Sequence, residues 1–302
     1  MRLISRSRPR QVDEHLTYFT QTEANEFRRL VGQSFAAAGR DVAVYPDHVV
    51  DRSGTILQLW NIGALCLGAE PSHWPALIDE HVRLVTAPGT EVGDLSQEEL
   101  NVGLYLRLVD VASVHDPDSL AYARVVAPGL LEVISVDLPD SVATPSLEEL
   151  EGRGTIGDLV ARGRENLRAL LLSNALRSEE MGDGRGAFTA VTGDSLFVAS
   201  LALLLPETVE RFGGKEDWGR GILVAVPSRS RLLFRPIDHG DAALALQRML
   251  QMSLRGFADG PGGLSPDVFW VRNGAWTQVT SHESGKPKLL RGSGLREALK
   301  GL

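Results

Sequence analysis

The chain has 302 residues, 43% hydrophobic and 23% charged, with 39 acidic residues against 31 basic and a formal net charge of -8. That length exceeds the roughly 100 to 150 residues one hydrophobic core usually serves, so two domains are expected. The acidic excess argues against nucleic acid as a main partner, and no apolar run reaches the roughly 18 residues of a membrane helix. One cysteine, Cys66, excludes an internal disulfide and any four-thiolate metal site. A cytoplasmic protein with no membrane association is the expectation, and Cys66 in "IGALCLG" reads as a small buried hydrophobe.

Residues 1–20 open on "MRLISRSRPR", four arginines with no apolar segment behind them, and read as a flexible basic arm rather than a secretory signal. Phe27, Leu30, Val31 and Phe35 repeat at helical spacing over 21–39, with Thr22 as N-cap and Gly39 as stop. Short β-branched runs over 41–60, split at Pro46-Asp47 and Ser53-Gly54, predict two or three antiparallel strands. Trp74, Leu77, Ile78, Val82 and Val85 predict a helix over 73–85, and strands follow at 104–111 and on either side of Pro128-Gly129. The Pro, Ser, Thr and Asp content of 137–146 marks a boundary, so the first domain is placed at 21–140 and a linker at 141–154.

A second domain is expected over 155–285, followed by a tail at 286–302. It opens with a helix over 155–172, interrupted by Gly163, which costs about 1 kcal/mol against alanine and so implies close packing. Strands near 173–181 and at "AFTAV", a helix over 195–213, a hairpin over 222–236, a helix over 241–257 and a hairpin centred on Asn273-Gly274 complete the chain. The predicted fold class is α+β, two domains with helices over antiparallel sheet. The recurring element order fits either a pseudo-duplication or convergence on a common layering.

Several motifs carry chemistry on paper. Gly193-Asp194-Ser195-Leu196 spells the GDSL esterase signature between a strand and a helix, with Ser195 as the nucleophile. That family places an aspartate three residues before its late histidine, and neither His239 nor His282 has one. The competing reading makes Asp194 or Ser195 a helix cap. His73 and His81 stand too far apart for one-turn metal pairing, and Asp238, His239 and Asp241 precede a helix as acids at its positive end. Gly182, Gly184 and Gly186 lack dinucleotide-loop spacing, and no phosphate-binding P-loop sequence occurs. No metal or cofactor is expected.

In "ILVAVPSRSRLLFRP" an apolar strand, a polar corner and a second apolar strand follow one another. Ser228, Arg229, Ser230 and Arg231 read as the turn, and alternatively as a contact site whose arginines reach a partner or an anion.

Asn166-Leu167 late in a helix, Ala199-Ser200-Leu201 leading a leucine-rich helix, and Val226-Pro227-Ser228-Arg229 closing a strand resemble the YtpQ-like proteins, a bacterial family. The likeness extends over about residues 21–280, with Gly163 where that family tends to alanine and Ser230 where it often carries an acid. It implies a bacterial cytoplasmic protein and supplies no substrate, cofactor or catalytic residue. The expectation is a non-enzymatic module binding a protein or peptide, chaperone-like or toxin-neutralising, with Ser228, Arg229, Arg231 and Asn166 as contact residues. The alternative is a serine esterase using Ser195.

Overall fold

The computed structural model describes residues 11–16, 18–52, 56–86, 91–114, 116–139, 141–182, 184–213, 218–237, 241–258, 262–282, 287–290 and 294–299. The architecture is mixed α+β, with helices packed on antiparallel sheets. Two compact units divide it, residues 1–89 with 259–261 and residues 90–258 with 262–302. Among the described residues no helix is long and apolar enough to cross a membrane.

In the first unit α1 (Gln21–Ala37) starts at Thr20, whose hydroxyl and the Glu23 carboxylate cap each other's backbone amides. The expected cap, Thr22, lies inside the helix, because only Thr20 is extended and has a glutamate three residues on. A three-stranded antiparallel sheet follows, β1 (Val42–Val44), β2 (His48–Asp51) and β3 (Ile56–Gln58). The expected Ser53-Gly54 turn lies outside the described residues. Helices α2 (Trp60–Leu67) and α3 (Trp74–Thr86) close the unit, with Phe19, Phe27, Val31, Ile62, Cys66, Trp74 and Ile78 in its core.

The flexible-arm expectation fails over residues 11–20, where Leu16 and Phe19 are fully buried and Val12 bridges Thr20; residues 1–10 lie outside the described residues. Asp13 anchors this segment. It accepts from the amides of His15 (3.0 Å) and Leu16 (2.8 Å), and from both Arg28 terminal nitrogens at 3.0 and 2.7 Å. The Arg28 hydrogen bonds, helped by those amides, hold the Asp13 carboxyl down at about 2. A depressed carboxyl stabilises the fold above its unfolded value near 4 and loses that contribution as pH falls toward 2. Asp13→Asn is expected to cost about 2 kcal/mol at pH 7, with the gap to wild type closing toward pH 2, as read by urea titrations across that range.

The second unit is built on a six-stranded antiparallel sheet ordered β13 (Ala275–Gln278), β12 (Val268–Arg272), β10 (Ile222–Ser228), β11 (Arg231–Pro236), β9 (Phe188–Gly193), β8 (Leu176–Met181). Its central strands are buried on both faces, which explains the unbroken apolar run in β10. Leu223, Ala225, Leu233 and Trp270 face α7 (Ala242–Ala258), while Val224, Val226, Phe234 and Phe269 face the larger core. Asn273 and Gly274 both take positive φ, 51° and 77°, as the predicted hairpin turn requires.

That larger core also takes in α4 (Gln97–Gly103), β4 (Leu104–Asp110), β5 (Arg124–Ala127), β6 (Leu130–Asp137), α5 (Ile156–Leu172), a 3-10 helix over Ala199–Leu204 and α6 (Leu205–Phe212). The boundary expected at 141–154 is therefore overturned. β7 (Val142–Ala143) pairs with β6, the Tyr122 hydroxyl donates to the Pro145 carbonyl at 2.6 Å, and Leu104, Leu106 and Ile134 share one core with Leu167, Phe197 and Phe234. The two predicted domains of 21–140 and 155–285 are thus replaced by units meeting near residue 90. Among the described residues their sheets differ, three strands in one unit and six, four and two in the other.

Gly163 does meet the close approach its position implied: a Cβ there would stand 2.9 Å from the Leu106 nitrogen. The helix expected over 195–213 is instead a turn, the 3-10 segment and α6, with Pro206 in the first turn of α6, where its missing N–H costs nothing. The predicted tail is also partly ordered, since β15 (Lys288–Leu289) pairs with β14 (Thr280–Ser281) and Leu295 of α8 (Leu295–Leu299) is buried in the α7 core.

Candidate functional site

The β10–β11 corner is a two-residue turn, since Ser228 lies opposite Arg231 and leaves Arg229 and Ser230 at the tip. A bulge between Ala225 and Ser228 contains Pro227, where a missing amide is tolerated. The tip is fastened on two sides. The Arg229 amide donates to the Gly262 carbonyl at 2.9 Å, and its carbonyl accepts from Ala199 at 3.0 Å. Ser228 also bridges Gly263. The stem of Arg229 runs across Gly262, where a Cβ would fall 2.6 Å from its Cδ, while Arg231 reaches toward Gly256 on α7.

Beside this corner β4 contributes Arg107. The next residue, Leu108, donates its amide to the Ser200 hydroxyl at 2.9 Å, so β4 and the corner hold neighbouring residues of one 3-10 segment. The Arg107 Nε is buried with no hydrogen-bond partner. Burial, then the charge of Arg229, push Arg107 down to about 10, and burial lowers Arg229 as well. Sequence reasoning missed Arg107 because it alternates with Leu104, Leu106 and Leu108 and so reads as part of a solvated strand face.

Ser195 sits in the turn before the 3-10 helix, half-buried, and its hydroxyl accepts from the Phe197 amide at 3.2 Å. The hydroxyl thus closes a local turn, not the first turn of an α-helix. Among the described residues no imidazole bonds Ser195, while His282 pairs with Asp267 at 3.4 Å. Asp267 also accepts from Gln278 (2.9 Å) and Thr280 (3.1 Å), which fixes the end of β13. Asp238 and His239 lie outside the described residues. Asp241 accepts from the Gly186 amide at 3.0 Å, tying the glycine-rich turn to the start of α7. Among the described residues no cluster of three or more His, Cys, Asp or Glu is placed to hold a metal.

Asn166 is committed to the backbone. Its side-chain amide donates to the carbonyls of Asn101 (2.8 Å), Val102 (3.3 Å) and Leu104 (2.7 Å), securing the α4 end and the β4 edge to α5. Asn166→Ala is expected to lower stability by about 1–3 kcal/mol in urea unfolding, the cost of stranding those carbonyls.

A cleft of about 500 Å³ opens where the β12–β13 hairpin faces the 3-10 helix, α6 and β5. Trp218, Trp276, Leu203, Pro206 and Val271 form its apolar wall, and Arg124 and Arg272 are exposed at it. Arg124 is bonded to Glu132 at 2.7 Å, and Arg272 lies over the Trp270 ring at 5.9 Å. Both tryptophans stay only partly buried although they pack against the core. No family model, curated protein or solved structure matches the chain.

The cleft was not legible in the sequence. Trp276 falls in a predicted hairpin strand and Trp218 outside every predicted element, and only the fold brings them together. The usable signal was an aromatic side chain two residues after the Asn-Gly turn, at the edge of a sheet.

Proposed function

We propose that the chain is a non-enzymatic protein- or peptide-binding module of the bacterial cytoplasm, chaperone-like or toxin-neutralising, the setting that the resemblance to YtpQ-like proteins also implies. The observation that supports this reading most is the cleft walled by Trp218 and Trp276. Partly exposed tryptophans give large contact area at low entropic cost and dominate binding energy where they occur. The cleft adjoins β13, the terminal strand of its sheet, which hydrogen-bonds to β12 on one side. A partner segment in extended form can add to such an edge while setting apolar side chains against the tryptophans. Exposed Arg272 favours acidic flanks in that segment.

Affinity purification from the native host tests the reading when wild type and Trp276→Ala are run side by side. A partner recovered by wild type and depleted with the variant supports it. Recovery of the lone chain, or of the same proteins in equal amount with both, overturns it.

A further inference from the structure

We propose that Arg107 and Arg229 together form a binding site for a phosphate-class oxyanion, separate from the tryptophan cleft. The two arginines are brought together by the backbone. Leu108 bonds Ser200 and Arg229 bonds Ala199, so consecutive residues of the 3-10 helix pin the strand carrying one guanidinium and the corner carrying the other. Gly262 leaves room for the Arg229 stem, since a Cβ there would fall 2.6 Å from its Cδ.

Other arginines, exposed or half-buried, have partners in the fold, Arg235 included, whose guanidinium lies 3.6 Å from Asp241 although its Nε too is buried without a hydrogen bond. Arg28 has the Asp13 carboxylate, Arg124 has Glu132, and Arg153 donates to the carbonyls of Leu95, Gly93 and Val92. Arg107 and Arg229 break that pattern: among the described residues neither has a carboxylate partner, and the Arg107 Nε is buried without an acceptor. Two like charges sharing a partly desolvated place, with an orphaned donor, are costly unless an anion completes them. Both side chains remain half-buried, so a ligand can reach them from solvent.

The charge and geometry select the ligand class. Two guanidiniums carry two positive charges and offer planar donor forks, which a tetrahedral dianion satisfies more fully than a monocarboxylate does. A phosphate group near neutral pH carries about -1.5 to -2. The group can be free phosphate or part of a phosphorylated small molecule.

Thermal unfolding and titration calorimetry of the full chain test this with inorganic phosphate, phenyl phosphate, acetate and chloride at matched ionic strength. Phosphate is expected to bind saturably at one site and to raise the melting temperature by about 5 °C at a hundredfold excess over Kd. Acetate and chloride are expected to leave it unchanged. Phenyl phosphate binding tighter than inorganic phosphate identifies a monoester as the source, and the reverse identifies the free ion. Arg229→Gln should abolish the shift while melting cooperatively in chloride, and Arg229→Lys should weaken it at least tenfold. Absence of saturable heat with wild type overturns the proposal without any variant, as does an undiminished shift in Arg229→Gln.

Discussion

A fragment covering residues 155–302 is expected to show no cooperative unfolding transition, whereas residues 90–302 should show a single one. Removing 90–154 strips the inner faces of β4 and β6, with Leu104, Leu106, Leu108, Leu130, Ile134 and Val136, from the core that holds Leu167, Phe197 and Phe234. Each of these six is almost fully buried. At roughly 1.5–3 kcal/mol for a buried aliphatic side chain, their loss amounts to about 10 kcal/mol or more. A domain's whole net stability is about 5–15 kcal/mol. The Asn166 latch to Asn101 and Leu104 and the Ser200 contact with Leu108 disappear at the same cut. Circular dichroism melts of the two fragments decide it, and a sharp transition in 155–302 would restore the boundary at 141–154.

The second large effect is expected at the cleft. Trp276→Ala should weaken partner binding by about 30-fold or more, the size associated with truncating a central aromatic anchor. Trp276 also touches the core, its ring centroid 5.7 Å from that of Phe269, so some stability is lost with it. Arg272→Glu separates the two effects, because this exposed side chain contributes little to folding while its reversal repels an acidic segment. Binding measured for both variants, beside their melting temperatures, distinguishes a lost contact from a loosened fold.

What could be read directly was wherever local chemistry alone decides structure. The helix of α5 shows through Leu159, Leu167 and Leu171 on one face, and the Asn273-Gly274 turn through the two positive φ values that only such residues take readily. The failures have physical causes. α2, "WNIGALCL", has no polar face to give a helical period, and α4 is only seven residues long. Residues 141–154 have the composition of a linker, yet β7 pairs with β6 and the Tyr122 hydroxyl holds Pro145. Turn-forming residues mark a change of direction and say nothing about whether the core continues beneath.

The site residues divide in the same way. The turn at Ser228–Arg231 was predicted from its residues, but its attachment to Gly262 and Ala199 depends on segments distant in sequence. Asn166 stood out in sequence as part of a short motif, and the structure gives it three backbone carbonyls to hold. Trp218, Trp276 and Arg107 acquire meaning only from what the fold sets beside them.

The central claim, that a partner segment lies along β13 against the tryptophans, is tested most directly by placing a photo-crosslinking amino acid at exposed Ala275 in the native host. The account predicts one discrete adduct that irradiation creates and that Trp276→Ala removes. No adduct at Ala275, or one that persists unchanged in the Trp276→Ala chain, would contradict it.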